Sequence, residues 1–190
     1  MRVLKRTQFG NPLLRTPARR LTRQEILSRA TQDLLRNMRY TLTEKRYGVG
    51  LAAAQIGEPL AIAIIRLKPT PTRPHTPKLS LTLINPEIVS HSGKQTGEWE
   101  GCISGPDMYG KAMRYPKIRV RWLDGQARKR EKDFEGLVAQ VIQHEIDHLN
   151  GILFVDRVRD SKTYVTASEY KKIRVAEAKD EKVKSAGRLA

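Results

Sequence analysis

The segment His-Glu-Ile-Asp-His at 144–148 constrains this chain most, because it places polar side chains on an otherwise apolar helix face. The spacing predicts a helix over 134–149. Its apolar face comprises Phe134, Leu137, Val138, Val141, Ile142 and Leu149. Positions four apart share a helix face, so His144 and His148 continue that stripe and Glu145 lies beside them. Burying all three unpaired would cost on the order of several kcal/mol, so a partner must satisfy them.

A metal ion is the partner that this spacing favours. H-E-x-x-H on a helix is typical of metal-dependent hydrolases, in which both imidazoles bind one ion. The glutamate between them then moves a proton on the reacting water. Two histidines do not complete such a site, since catalytic zinc normally has three protein ligands and an open position. The sequence therefore predicts a third ligand elsewhere in the chain.

Five side chains outside the helix are candidates for that third ligand. His75 lies in a proline-rich loop and His91 in a polar turn. Glu169 and Glu177 lie downstream, where a zincin-type metalloprotease would place a glutamate. Cys102 lies in a turn-forming context of glycine, serine and proline, and one cysteine with two histidines is a catalytic set that also suits Fe(II). From the residues alone, these alternatives stay open.

Composition narrows the class of protein. A chain of 190 residues is sufficient for one domain with a sizeable core. Its single cysteine excludes an intramolecular disulfide and favours a reducing cytoplasm. No apolar run approaches the length of a membrane span, which argues against an integral membrane protein.

The net charge of +16 favours contact with polyanions such as ribosomes or RNA. A basic ribosome- or RNA-binding module without catalysis is therefore an alternative to an enzyme. The first 23 residues hold seven Lys or Arg and no acidic residue, as an organelle transit peptide does. No long serine-rich segment accompanies them, so we expect a cytoplasmic rather than an organellar protein.

Local signals predict the other elements. A capping box at Thr22 and Glu25 predicts a helix whose stripe repeats every four residues through 26, 30, 34, 38 and 42. A loop is expected to begin at 48–50. Strands are predicted at 61–67, at 79–85 (interrupted by Pro86) and at 117–123, followed by a tight Asp124-Gly125 hairpin turn. Gly151 is expected to end the central helix, and a capping box at Thr166 and Glu169 to begin a charged C-terminal helix.

Three segments together carry a family resemblance: GVGLAAAQ at 48–55, EGCIS at 100–104 and QHEIDH at 143–148. In this order and at similar separations, they resemble G-x-G-x-A-A-x-Q, E-G-C-x-S and Q-H-E-x-D-H of the peptide deformylase family. The resemblance extends from about Gln8 to about Val158. Ala54 and Ile103 are mild departures, standing where proline or threonine and leucine are usual. The stretch after Ser104 is less typical of the family. The resemblance therefore extends to the catalytic chemistry but not to the residues at the rim of the substrate site.

Peptide deformylases remove the formyl group from the formyl-methionine of nascent bacterial or organellar proteins. The resemblance implies one divalent metal ion on Cys102, His144 and His148, with Fe(II) native and zinc, nickel or cobalt as alternatives. That ion would lower the pKa of its water toward about 7. Glu145 would take the water proton and pass it to the departing amine. The Gln55 amide and the Ile103 backbone N–H would stabilise the oxyanion.

Further roles follow from the same resemblance. The expected substrate-binding residues are Val49, Gly50, Glu100, Leu137 and Val141, with Gly50 pairing to the substrate backbone like an added strand and the apolar members forming a methionine pocket.

A buried ion pair between Glu100 and Arg114 would brace the Cys102 loop. Gln143 and Asp147 would orient the ligand side chains, although a solvent-facing Asp147 is the equal alternative.

The implied fold is α+β, with mixed or antiparallel sheets packed around the central metal-binding helix, an N-terminal helix and a C-terminal helix. We expect a single catalytic domain over 1–165 and a basic C-terminal helix and tail over 166–190. From residue 161 onward there are eight basic and four acidic side chains, which makes this helix a plausible ribosome dock. The expected partners are formyl-methionyl nascent chains and the ribosome, with no membrane and no sequence-specific nucleic acid.

Overall fold

A computed structural model describes residues 1–44, 48–70, 74, 76–105 and 107–186. Within these ranges, eight strands form two antiparallel sheets, one ordered β1-β2-β3-β6-β7 and the other β4-β5-β8. The strands are β1 (Gly50–Ala52), β2 (Ile62–Leu67), β3 (Leu79–Ser92), β4 (Thr96–Gly101), β5 (Met108–Arg114), β6 (Lys117–Leu123), β7 (Lys129–Glu135) and β8 (Val165–Thr166). The helices are α1 (Arg23–Leu27), α2 (Arg29–Glu44), α3 (Gly136–Leu149) and α4 (Ala167–Ala186). The predicted α+β class is confirmed, with antiparallel sheets throughout.

The five-stranded sheet lies between α2 and α3. On one face, Ala63 and Ile65 of β2 join the cluster that includes Ile142 and Ile146 of α3. On the other face, Ile62 and Ile64 join the cluster that contains Leu35, Met38 and Leu42 of α2. Since successive strand residues point to opposite faces, a strand covered on both sides is apolar throughout. This explains the continuous apolar run in β2, which is confirmed as a strand.

The N-terminal helix is interrupted, contrary to the prediction of one continuous stripe. The capping box is confirmed, because the Thr22 hydroxyl accepts from the Glu25 N–H and the Glu25 carboxylate accepts from the Thr22 N–H. Ser28 then adopts an extended backbone with ψ 151°, which ends α1 and restarts the helical phase in α2. As a result, Ala30 is exposed rather than buried. The buried residues of α2 are Thr31, Leu35, Met38, Thr41 and Leu42.

The strand predicted at 79–85 is longer than predicted, because it continues beyond Pro86, where its pairing with β6 is interrupted. β3 continues to Ser92, with a register shift between Ile84 and Glu87 where it pairs with β6. A bulge accommodates proline, which lacks the N–H that a regular ladder would need. Asn85 adopts a left-handed φ of 51°, and its side chain bonds both the N–H and the carbonyl of Leu21. The bulge therefore also anchors the N-terminal segment to the sheet.

The β6–β7 connection is longer than the predicted two-residue turn. It spans residues 124–128, and the left-handed residue is Ala127 with φ 56° rather than Gly125. The Asp124 carboxylate holds this loop by accepting from the N–H groups of Gln126 and Arg128. The strand over 117–123 is confirmed, with alternate residues buried.

Two other boundaries differ from the prediction. Phe134 belongs to β7, so α3 begins at Gly136 and not at residue 134. Gly50 begins β1 rather than lying in a loop. The predicted end of α3 is confirmed, since Gly151 has φ 72° and the backbone turns back there. In the part of the chain described, no helix is both long and apolar enough to cross a membrane.

Candidate active site

Cys102, His144 and His148 come together although they belong to different layers. Cys102 directly follows β4, whereas both histidines lie one turn apart on α3. The Cys102 Sγ lies 3.2 Å from the His148 Nε2, and one ligand atom from each of the three residues lies within 4.8 Å of the others. A thiolate with two imidazoles is a donor set that suits Zn²⁺ or Fe²⁺. The residues therefore fit a single divalent ion.

The other candidate third ligands lie elsewhere. The His91 ring stacks on Tyr115, with ring centroids 3.6 Å apart. Glu169 pairs with Lys172, and Glu177 with Arg174, both within α4. His75 lies outside the described residues. Among the described candidates, only Cys102 joins the two histidines.

Glu100 sets the orientation of His144. The His144 Nδ1–H donates to the Glu100 Oε2 over 2.9 Å, which leaves Nε2 directed at the cluster. Burial opposes ionisation of Glu100, but hydrogen bonds from Arg114 and His144 outweigh it and lower its pKa to about 2. Glu100 therefore stays ionised, and its carboxylate is fully engaged within the protein.

The predicted ion pair between Glu100 and Arg114 is present and is part of a larger network. Arg114 donates from Nε and Nη2 to both Glu100 oxygens, over 2.7 and 2.9 Å, and from Nη1 to Asp147 over 2.5 Å. Arg157 donates two more hydrogen bonds to Asp147. Asp147 is buried, so the solvent-facing alternative is wrong. Among the described residues, its carboxylate bonds to these two arginines, and it is connected to His144 through Arg114 and Glu100.

Gln143 has a different role from the one predicted. Its side chain accepts from the Tyr115 N–H over 3.0 Å and donates to the Tyr115 carbonyl over 2.9 Å. It also donates to the Ala139 carbonyl within α3. Gln143 thus fixes the connection between β5 and β6 to the helix, rather than orienting a ligand side chain.

Glu145 is a buried carboxylate beside the cluster. Only 3% of it is exposed, and its Oε2 has no hydrogen-bond partner among the described residues. Burial raises the pKa of Glu145 to about 7, with Glu100 adding to the effect and His144 opposing it. Its Oε1 would lie 2.0 Å from a methyl group built on Gly50, so the carboxylate rests directly on that glycine. An unpartnered carboxylate in such a position can accept and return a proton.

Gln55 is held with its amide nitrogen toward Cys102. The Ala52 N–H donates to Oε1 over 2.8 Å, which fixes the amide, and Nε2 then lies 3.4 Å from Sγ and 3.3 Å from the Ser104 Oγ. The Ser104 N–H also donates to Sγ over 3.4 Å. Ser104 is fully buried. Its contacts with Gln55 and Cys102 were not predicted from the sequence, although its position in the E-G-C-x-S motif could have indicated them.

These groups open onto a cleft of about 870 Å³. The residues predicted to bind substrate all line it, namely Val49, Gly50, Glu100, Leu137 and Val141, as do Gln55 and Ile103. β1 is the edge strand of its sheet and pairs with β2 on one side. An edge strand at a cleft can pair with an extended peptide through its free side.

Comparisons with known proteins agree with this geometry. A family model described as Polypeptide deformylase matches residues 3–164. Peptide deformylase from Thermomicrobium roseum is 43% identical over 154 residues, covering 81% of this chain and 85% of that protein. Peptide deformylase 2 from Nostoc is 35% identical over 167 residues, covering 87% and 92%.

Solved structures are similar as well. The Met-Ala-Ser-bound class I type b peptide deformylase from Acinetobacter baumannii has a TM-score of 0.78 at 35% identity, covering 83% of this chain and 99% of that one. The peptide deformylase from Thermotoga maritima has a TM-score of 0.74 at 29% identity, covering 84% and 100%.

Proposed function

The chain belongs to the polypeptide deformylase family, hydrolases that remove the N-terminal formyl group from nascent proteins, and we propose that Cys102, His144 and His148 are the metal ligands with which it acts. The observation that carries this assignment is the meeting of the thiol and two imidazoles within 4.8 Å, beside the buried Glu145 carboxylate, whose Oε2 has no hydrogen-bond partner among the described residues. The metal we propose is Fe(II), with zinc, nickel and cobalt as alternatives that the same donor set accepts.

The mechanism assigns one task to each residue. A bound divalent ion supplies Lewis acidity, which acidifies water and polarises the formyl carbonyl. Glu145 takes a proton from the attacking water as its oxygen adds to the formyl carbon. The C–N bond then breaks, and Glu145 returns the proton to the amine, so formate and a free N-terminus leave. The Gln55 Nε2 and the Ile103 backbone N–H donate to the carbonyl oxygen as it gains negative charge.

Substrate binding follows from the edge strand. The peptide pairs with β1 near Gly50, where the absence of a side chain lets two backbones approach. Val49, Leu137 and Val141 form the apolar pocket for methionine. Glu100 also lines the cleft, but its carboxylate is engaged by Arg114 and His144, so we assign it to orienting His144 rather than to binding substrate.

We expect Gly50→Ala to lower kcat/KM about a hundredfold, because misplacing a catalytic group by about 1 Å costs that much. The added methyl would lie 2.0 Å from the Oε1 and 2.5 Å from the Cδ of Glu145, so the carboxylate must move. Gly125→Ala is the matched control, since its methyl meets nothing closer than 3.6 Å. Steady-state kinetics on both variants check this, and a Gly50→Ala enzyme within threefold of wild type would contradict it.

The direct test of the function is release of formate from formyl-Met-Ala by anaerobically prepared, metal-loaded protein. Wild-type protein that holds one metal ion and releases no formate would overturn the proposal. Metal analysis of the same preparation tests the choice of iron.

The rival enzyme is a zincin-type metalloprotease with a downstream glutamate as ligand. Glu169 and Glu177 are both engaged within α4, which disfavours it. Cys102→Ala is expected to lose tight metal binding and activity. If this variant kept one tightly bound ion and full activity, the protease assignment would be preferred.

For its setting, we propose that the protein acts in the cytoplasm on chains leaving the ribosome, and that α4 with its tail (166–190) is a ribosome dock appended to a catalytic domain over 1–165. The exposed Lys171 and Lys172 support this role. Charge reversal at both should weaken salt-sensitive binding to ribosomes while leaving hydrolysis of free formyl-Met-Ala unchanged. Unaltered ribosome binding would remove the dock from the proposal. Ribosome binding that persists in Glu145→Ala, with no hydrolysis by the wild type, would instead favour a binding module.

A further inference from the structure

Three aromatic side chains from separate elements meet at one wall of the cleft, and we call them the aromatic cluster: Trp99, Tyr109 and Tyr170. The Tyr109 and Tyr170 rings stack in parallel, with centroids 4.0 Å apart and an angle of 10° between planes. The Trp99 ring is tilted against Tyr170 at 5.7 Å. Tyr170 is 8% exposed and is the aromatic residue that α4 contributes.

The cluster occupies the face of the small sheet that is turned away from α3. Alternate residues of a strand point to opposite faces. Glu100 and Arg114 are on the face toward His144 and Asp147, whereas Trp99, Gly101 and Tyr109 are on the other. The helix α4 packs on this second face, because its Tyr170 ring lies against the rings of Tyr109 and Trp99.

The cluster reaches the cleft directly. Trp99 and Tyr109 line it, whereas Tyr170 does not. The Tyr109 ring lies against Gly101, where an added methyl would come within 2.9 Å of two ring carbons. Gly101 is the residue before Cys102. Tyr109 is therefore held between the backbone that leads to Cys102 on one side and the Tyr170 ring on the other.

From this arrangement we propose that Tyr170 is a positioning residue for peptide binding: by stacking on Tyr109 it fixes the cleft wall formed by Tyr109 and Trp99. The helix α4 is thus a structural part of the substrate cleft in the free protein, whether or not it contacts the ribosome. Tyr170 lies beyond the part of the chain that the family model matches. The proposal rests on the function assigned above, because it takes the cleft to bind a formyl-methionyl peptide or its product.

The test compares Tyr170→Leu with Tyr170→Phe in the full-length, metal-loaded protein. Leucine keeps an apolar side chain at a buried site but removes the flat ring, whereas phenylalanine keeps the ring. Calorimetric titration with Met-Ala-Ser and kinetics with formyl-Met-Ala-Ser are measured on each. We expect Tyr170→Leu to raise Kd and KM about three- to tenfold with kcat nearly unchanged, in line with the strength of one aromatic pair. Tyr170→Phe should restore both constants to within about twofold of wild type.

Val175→Ala is the control on the same helix, since Val175 is 51% exposed and should leave Kd and KM unchanged. Metal content and unfolding midpoint are measured for every variant, so that a loss of fold is recognised. If a folded, metal-loaded Tyr170→Leu binds and turns over as wild type does, the inference is wrong. It is equally wrong if kcat alone falls, or if Tyr170→Phe is as weak as Tyr170→Leu.

The two proposals fail in different ways. Wild-type protein that binds Met-Ala-Ser but releases no formate would end the proposed function, and the titrations would still decide the role of Tyr170. Wild-type protein that releases formate, with Tyr170→Leu indistinguishable from it, would end only this inference.

Discussion

Glu145→Gln is expected to lower kcat for formyl-Met-Ala about a hundred- to ten-thousandfold, the usual contribution of a general acid–base group. The amide keeps the size of the side chain that packs against Gly50, so the cleft should stay intact. It cannot take a proton from water, and Glu100, the other buried carboxylate beside the ligands, is engaged by Arg114 and His144.

The measurement is single-turnover formate release, with metal content and Met-Ala-Ser affinity determined on the same sample. Both of these should match wild type, which separates lost chemistry from lost binding. Glu135→Gln, at an exposed position just before α3, is the control and should retain full activity. A Glu145→Gln enzyme within tenfold of wild type would remove Glu145 from the mechanism.

Arg114→Ala is expected to lower the free energy of unfolding by about 3–5 kcal/mol, the cost of removing one partner from a buried ion pair. Its side chain is 4% exposed, as is that of Glu100, and that of Asp147 is 8% exposed. The substitution leaves two buried carboxylates without their shared cation. It also frees Glu100, so His144 loses its fixed orientation, and metal affinity should fall about 10- to 100-fold.

Denaturant unfolding of wild type and variant, both without metal, measures the change in the free energy of unfolding separately from the change in metal affinity. Arg119→Ala is the matched control, because Arg119 pairs with Glu131 at the surface with half of its side chain exposed. Exposed pairs contribute about 0–1 kcal/mol. If Arg114→Ala and Arg119→Ala proved equally mild, the buried network would not stabilise this fold as proposed.

The residues near the centre of the site could be predicted from the sequence because their geometry is local. His144, Glu145 and His148 are related by the period of one helix, so their meeting needs no knowledge of the rest of the fold. Cys102 could be identified only through its surrounding motif, since nothing local tells which of several distant side chains meets α3. Gln55 is similar, because its orientation depends on a bond to Ala52 and a distant cysteine.

The parts that could not be predicted depend on contacts between segments far apart in the chain. Asp147 looked as well suited to solvent as to the interior, because its partners Arg114 and Arg157 approach from other elements. Pro86 was expected to interrupt a strand over 79–85, but the strand continues beyond it through a bulge where the Asn85 side chain bonds the Leu21 backbone. Long-range contacts of this kind override the local secondary-structure propensity, and no repeating pattern in the sequence indicates them.

Among the described residues, the small sheet β4-β5-β8 contributes none to the buried apolar clusters on the two faces of the five-stranded sheet. It is joined to α3 by polar contacts instead: Arg114 with Asp147, Glu100 with His144, and Gln140 with the Trp99 carbonyl. Apolar surfaces attract without direction and can slide against each other, whereas charge-assisted hydrogen bonds have a required length and angle. Metal–ligand bonds tolerate errors of only about 0.2 Å. The directional polar contacts thus fix the position of the small sheet relative to α3. They place Cys102 relative to His144 and His148 more accurately than the burial of apolar surface alone could.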